Sequence, residues 1–396
     1  MKAKEFIERY YTERKGTSSL KWDALKETFG ADDLIPMWIA DTEFKAPECV
    51  IESLTERIQH GVYGYSYVPE SFYEAVMDWE YTHHGYKLQK EWIRITPGVV
   101  AALYWSVNLL TQPGDAILAL TPVYYPFLDS IKDSGRRLVA CDMAYEKGVF
   151  YFDAAAFEKA IVDNDVKMYI LCSPHNPVGH VWTYEELQTM LKICKKHNVF
   201  VVSDEIHQDL TFDNHKHIPT ATIDNSAYAD NLITCFAASK TFNLASCFVS
   251  TIIIENEELR KKWDAFVKVF HNVDANIFGL TAVEAALCGG MDWYEGIKDV
   301  IHENYLAVRE GLKDFDKVYL TSLEGTYLLF IDLREYVALE DIHSFVQDKC
   351  KLAVDYGEWF GDSWQGFIRL NLATHPDIVN QAVSNLAREL KAISAK

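Results

Sequence analysis

The sequence predicts an α/β protein: a large domain built on a mostly parallel sheet covered on both faces, and a smaller α+β domain. Two patterns predict it. From about residue 90 to 255, short apolar runs alternate with amphipathic ones, as buried parallel strands joined by helices do. Beyond Gly289 the alternation stops, and longer helical stretches are separated by isolated strand-like runs. Composition agrees. Of 396 residues, 49% are apolar, enough for a large core, and 19 Gly with 11 Pro exclude collagen-like and low-complexity classes.

Taken in order, the first 45 residues are polar and turn-rich, ending in an apolar stretch at Ile35 to Ala40. Asp115 to Leu120, Lys167 to Cys172, Val199 to Ser203 and Asn231 to Ala237 read as strands, the third preceded by the helical pattern Thr183 to His197. Later segments predict a helix over Trp293 to Asp314, a strand over Thr326 to Leu333 and a helix over Leu339 to Lys351. A strand over Gly366 to Asn371 and an amphipathic helix from Pro376 close the chain. Both ends flank the α/β block. The expected division is therefore a large domain over 46–288 and a small one joining 1–45 to 289–396.

Charge narrows the function. With 38 Lys+Arg against 58 Asp+Glu the net charge is −20, and no basic run appears. Nucleic acid and anionic membrane are poor partners for such a chain, because phosphate attraction needs clustered Lys/Arg. The eight Cys show no C-x-x-C spacing, which reads as reduced thiols of a cytoplasmic protein. Charges occupy the N-terminal positions where a signal peptide is apolar, and no apolar run approaches the ~18 residues of a membrane span. His83-His84 and His215-Lys216-His217 stand without an H-E-x-x-H or a Cys/His quartet, so no metal is expected. Phosphate-loop, dinucleotide and nucleophile-elbow motifs are missing too.

In open parallel sheets, ligands sit beyond the carboxyl ends of the strands. Three predicted strands end in Ser173-Pro174-His175-Asn176-Pro177, Asp204-Glu205-Ile206-His207 and Ala238-Ser239-Lys240-Thr241. Singly, these are a turn, a helix cap and a solvated lysine. Together they fit one cofactor chemistry. A lysine among apolar residues can lose its proton and condense with an aldehyde. A carboxylate facing a pyridine nitrogen keeps the ring an electron sink, and an Asn can donate to the neighbouring phenolate oxygen. Thr96-Pro97-Gly98-Val99-Val100 opens a helical pattern whose free N–H groups suit a phosphate. Pro122-Val123-Tyr124-Tyr125-Pro126 offers an aromatic face at the same edge.

These motifs, with Pro36-Met37-Trp38-Ile39-Ala40-Asp41, Tyr63-Gly64-Tyr65, Ser239-Lys240-Thr241-Phe242-Asn243 and Phe367-Ile368-Arg369-Leu370, carry a resemblance. The chain resembles fold-type I pyridoxal-phosphate enzymes of the aspartate aminotransferase superfamily, and within them the MalY/PatB group of cystathionine β-lyases and cysteine C–S lyases. The resemblance implies a seven-stranded, mostly parallel sheet in the large domain and pyridoxal 5'-phosphate as cofactor. It implies roles as well. Lys240 holds the aldehyde and moves the Cα proton, with Tyr124 beside it in the catalytic pair. Asp204 pairs with the pyridinium nitrogen, Asn176 bonds the phenolate oxygen and Tyr124 stacks on the ring. Val99 and Val100 N–H groups and the Ser239 hydroxyl hold the phosphate, helped by Tyr65 of a neighbouring subunit in a homodimer. Arg369 clamps the substrate carboxylate, with Asn176 and Trp38 beside it.

Two departures from the wider superfamily matter. His207 stands where a typical aminotransferase has a Tyr on the phenolate oxygen. It is either a cofactor contact or a structural residue. Ala237 replaces a phosphate-binding Ser, which removes one hydroxyl from the cradle. The implied activity is α,β-elimination from L-cystathionine, L-cysteine or related S-substituted cysteines, giving pyruvate, ammonia and a thiol. An aminotransferase on the same fold, and a regulatory protein binding a transcription factor, are the alternatives.

Overall fold

The computed structural model describes residues 1–270 and 276–394. Seven strands form the main sheet: β1 (Ile93–Thr96), β2 (Ala116–Thr121), β3 (Arg137–Asp142), β4 (Val166–Cys172), β5 (Phe200–Asp204), β6 (Leu232–Phe236) and β7 (Ser250–Ile253). Their order is β1-β7-β6-β5-β4-β2-β3. All neighbours pair in parallel except β7, which runs antiparallel to both β1 and β6.

Alternation along the strands divides the sheet between two cores. Leu118, Leu120, Tyr169, Leu171 and Val201 face one side, and Ile117, Ala119, Met168, Ile170 and Val202 face the other. With both faces buried, β2 and β4 read as continuous apolar runs, which is why they were visible in the sequence. The four expected strands lie within a residue or so of their forecast bounds. Helix Tyr184–Lys196 starts at a reciprocal cap between Thr183 and Glu186.

A second, antiparallel sheet carries β8 (Tyr319–Leu320), β9 (Leu328–Asp332), β10 (Asp355–Tyr356) and β11 (Phe367–Asn371) in the order β8-β9-β11-β10. Arg369 on β11 stands directly opposite Asp355 on β10. The chain's beginning joins this region. Ile35–Pro36 pairs in parallel with Leu352–Ala353, and Phe6 packs edge-on against Trp293 at 5.3 Å between ring centroids. A Cβ on Gly296 would come 2.4 Å from the Phe6 ring, so only glycine permits that approach.

The segment expected as a helix over 339–351 is less regular. A 3₁₀ turn at Leu339–Asp341 leads into a wider π-type turn at Ser344–Lys349. Ile342, Phe345, Val346 and Cys350 still face inward, so the amphipathic pattern survives although most of the segment is not α-helical. Among the described residues no helix is long and apolar enough to cross a membrane.

Candidate active site

A cavity of about 440 Å³ opens at the carboxyl ends of the central strands. Of the expected residues, Val99, Val100, Tyr124, Asn176, Asp204, His207, Ser239 and Lys240 all line it. Each arrives by a different local device. Asn176 and Tyr124 are strapped together, because Tyr124 N–H donates to the Asn176 carbonyl at 3.1 Å. Asp204 ends β5, and Ile206 N–H donates to its Oδ1 at 3.0 Å. Helix Val99–Leu110 points its first turn at the cavity. A Cβ on Gly98 would meet no atom within 4 Å, so the backbone there lies bare.

Lys240 sits on the one-turn helix Ala238–Thr241. Its Nζ donates to the Ala40 carbonyl at 2.7 Å, and that oxygen also accepts from the Tyr327 hydroxyl at 2.7 Å. The next residue anchors the turn: Thr241 Oγ1 donates to Asp209 at 2.5 Å. Asp209 also accepts from Trp79 Nε1 at 3.0 Å and lies 2.8 Å from His84 Nε2. This buried network lies behind the lysine, and no motif announced it.

Electrostatics set the chemistry. Burial, with Arg369 nearby, lowers the Lys240 ammonium to about 8, against the pull of Asp41 and Asp204. An amine that sheds its proton this readily is a usable nucleophile and base. Burial pushes the Asp204 carboxyl up to about 7, against the Ile206 N–H bond and the Lys240 charge, so a cation set against it would favour its ionised form. Burial drives His207 well below its ordinary value, helped by Lys240 and Arg369. Its imidazole is therefore neutral, and its buried Nδ1 has no partner among the described residues. Burial also raises the Tyr124 hydroxyl to about 12.

Arg369 is fully buried and reaches the cavity through Asn176, donating from Nη1 to Asn176 Oδ1 at 3.0 Å. Its Nη2 donates to the Trp38 carbonyl at 2.9 Å and to Asp355. Two expected residues stand apart. Trp38 meets the site through its carbonyl and not its indole, which donates to the Lys21 carbonyl at 3.0 Å and packs edge-on against Phe29. Tyr65 is fully exposed and far from burial of any kind. Ala40, Cys172, Ile206, Phe248 and Ser250 also line the cavity. Ala40 and Ile206 belong to motifs named above but carry no functional group that chemistry would single out, and Cys172, Phe248 and Ser250 fall outside any assigned role. No cluster of metal-ligating side chains occurs among the described residues.

Residues 36–386 match the model of aminotransferase class I and II. The chain belongs to that family. It is 37% identical over 361 residues to cystathionine β-lyase PatB of Bacillus subtilis (strain 168), covering 91% of this chain and 93% of that one. Cystalysin from Treponema denticola, whose crystal structure contains a pyridoxal 5'-phosphate cofactor, superposes with a TM-score of 0.92 at 33% identity, covering 97% of this chain and 98% of that one. The pyridoxal-phosphate-bound C–S lyase from Staphylococcus hominis superposes with a TM-score of 0.89 at 29% identity, covering 96% of each chain.

Proposed function

We propose that the protein is a pyridoxal-phosphate-dependent C–S β-lyase acting on L-cystathionine, L-cysteine or related S-substituted cysteines. One observation carries this reading: Lys240, Asp204 and Asn176 converge on a single cavity in a chain similar throughout to a cystathionine β-lyase. The residues fit the cofactor. The underpaired Asp204 carboxyl suits a protonated ring nitrogen, the bare first turn at Gly98 to Val100 suits a phosphate, and Tyr124 offers a ring face. Asn176, His207 and Ser239 complete the holding set.

Bound there, pyridoxal phosphate supplies an electron sink for the pair released at Cα. The chain's own residues do the rest. Arg369, oriented by Asn176, holds the α-carboxylate. Neutral Lys240 takes the Cα proton and can pass one toward the departing sulfur. With one water consumed, the Cβ–S bond breaks to give pyruvate, ammonia and a thiol, or hydrogen sulfide when the substrate is L-cysteine. Aminotransfer, named in the family description, begins with the same proton abstraction and is the second reading.

The deciding assay supplies L-cystathionine or L-cysteine to the holoenzyme without any keto acid. Pyruvate and thiol should appear together. Activity seen only after a keto acid is added would replace the lyase by the aminotransferase.

Two further points belong to this reading. Exposed Val62, Tyr63, Tyr65 and Tyr67 support a homodimer in which Tyr65 reaches a neighbouring site, and sedimentation at micromolar concentration tests it. The pairing of Ile35–Pro36 with Leu352–Ala353 supports a small domain drawn from 1–45 and 289–396 beside the large one over 46–288.

A further inference from the structure

The guanidinium of Arg369 has two edges on which a carboxylate can be held by two N–H groups, Nη1/Nη2 and Nε/Nη2. The third edge is blocked by the side chain's own Cδ. Both usable edges need Nη2. In this structure Nη2 already donates to the Trp38 carbonyl and to Asp355 Oδ2. The first acceptor is backbone and fixed. The second is a side chain that can turn. Asp355 is held in this place by sheet register, since it is the direct cross-strand partner of Arg369 on β10 and β11. Each partner nevertheless keeps one idle polar atom: Arg369 Nε and Asp355 Oδ1 are both buried without a hydrogen bond among the described residues. The pair is thus incompletely satisfied, and an ion pair of this kind is poorly repaid for its desolvation.

We propose that Asp355 is a displaceable counter-anion of Arg369: an incoming substrate carboxylate takes its place at Nη2, and Asp355 accepts a proton as it is displaced. Two buried carboxylates cannot both stay ionised against one guanidinium without a large cost. Burial already raises the Asp355 carboxyl to about 6, against the pull of Arg369, so a proton is within easy reach. The other groups around the pair favour Asp355 as the place for that proton. Tyr124 and Tyr125 both feel its charge, and burial keeps both hydroxyls protonated. Phe360, beneath the guanidinium at 5.0 Å, is neutral. Lys240 and the neutral His207 are the alternative acceptors, and the Arg369 charge, which both of them feel, disfavours a proton on either. Asp355 thereby sets specificity for the carboxylate: the site accepts it readily below about pH 6 and less readily above.

The inference rests on the proposed amino-acid substrate, but its test needs no turnover. The probe is propionate, a carboxylate with no amine, titrated calorimetrically into the holoenzyme in two buffers of different ionisation heat. The wild type should bind with uptake of nearly one proton above neutral pH. Its affinity should weaken up to about tenfold per pH unit above about 6. Asp355→Asn should bind more tightly, with no uptake and a flat pH profile, and Arg369→Lys should bind poorly. Equal affinity and equal proton uptake in wild type and Asp355→Asn would overturn the proposal. So would uptake that follows the cofactor's visible absorbance, which would place the proton at Lys240. If Asp355→Asn does not fold, the proton count of the wild type decides alone, zero uptake being the refuting result. Pyruvate assays in parallel separate the two questions, because a chain without lyase activity can still exchange Asp355 for propionate.

Discussion

Arg369 Nη1 donates to Asn176 Oδ1 at 3.0 Å, although one residue follows β4 of the main sheet and the other stands on β11 of the second sheet. A single amide therefore serves both halves of the site. It faces the cavity where the cofactor ring is expected and aims the arginine that receives the substrate.

Asn176→Ala should show this double duty. Removing the acceptor leaves a buried guanidinium N–H unpaired, at a cost of about 1–3 kcal/mol. KM for the amino acid should rise roughly tenfold or more, with a fall in kcat as well. Steady-state kinetics on L-cystathionine measure both, and an unchanged KM would remove Asn176 from the clamp.

Lys240→Ala should abolish the borohydride-trapped link to pyridoxal phosphate and lower turnover by several orders of magnitude. The pH dependence of loading adds a check on the wild type. Its ammonium is lowered to about 8, so the neutral, reactive amine gains population as pH rises through that value. Cofactor capture by the cofactor-free protein should accelerate accordingly and level off above it. A rate that is flat across this range, followed by stopped-flow absorbance, would contradict the assignment.

The network behind the lysine predicts a loss of stability. Asp209 is buried and holds Thr241, Trp79 and His84. Burial works against its charge, and the bonds to His84, Thr241 and Trp79 outweigh it, so its carboxyl lies below the ordinary value. That contribution is present above the unfolded carboxyl's pKa and is lost as pH falls through the lower folded one. Asp209→Ala should cost about 3–5 kcal/mol, as breaking a buried charged network does. Chemical denaturation at neutral pH measures it, and a loss below about 1 kcal/mol would reduce the network to packing.

His180 predicts the opposite sign. It lies between Glu186 at 3.1 Å and Glu324 at 3.0 Å. Burial opposes its charge, but the two carboxylates win and raise it to about 9. The folded value exceeds the unfolded one of about 6.5, so this stabilisation is complete below about 6.5 and disappears as pH climbs through about 9. His180→Gln should flatten the alkaline decline of thermal stability. Scanning calorimetry from neutral to alkaline pH compares the two proteins, and parallel profiles would rule the bridge out as a cause.

Asn176, Asp204 and Lys240 were legible in the sequence for a physical reason. They terminate strands buried on both faces, and such strands announce themselves as apolar runs with abrupt polar ends. Direction was not legible. The run at Val249 to Ile254 is as apolar as its neighbours, yet β7 is reversed, and an apolar run carries no arrow. Asp355 and Asp209 escaped notice because their meaning depends on what lies across from them. A β10–β11 register and a threonine on another element gave them partners that no local pattern encodes. Trp38 shows the converse: its motif pointed at the site, but tertiary packing sent the indole toward Leu25 and Phe29 and left only the carbonyl for Arg369.

The Ala40 carbonyl, which holds both Lys240 and Tyr327, gives the site an order of assembly. Ala40 leaves the ribosome early, Lys240 in mid-chain, and Tyr327 and Arg369 near the end. A growing chain can shape the ring-binding floor from β2, β4, β5 and β6 before the residues that receive an amino acid exist. Yet the carbonyls on either side of Ala40 both accept from Asn371 Nδ2 on β11, so the acceptor that holds Lys240 takes its place only when the last strand of the second sheet arrives.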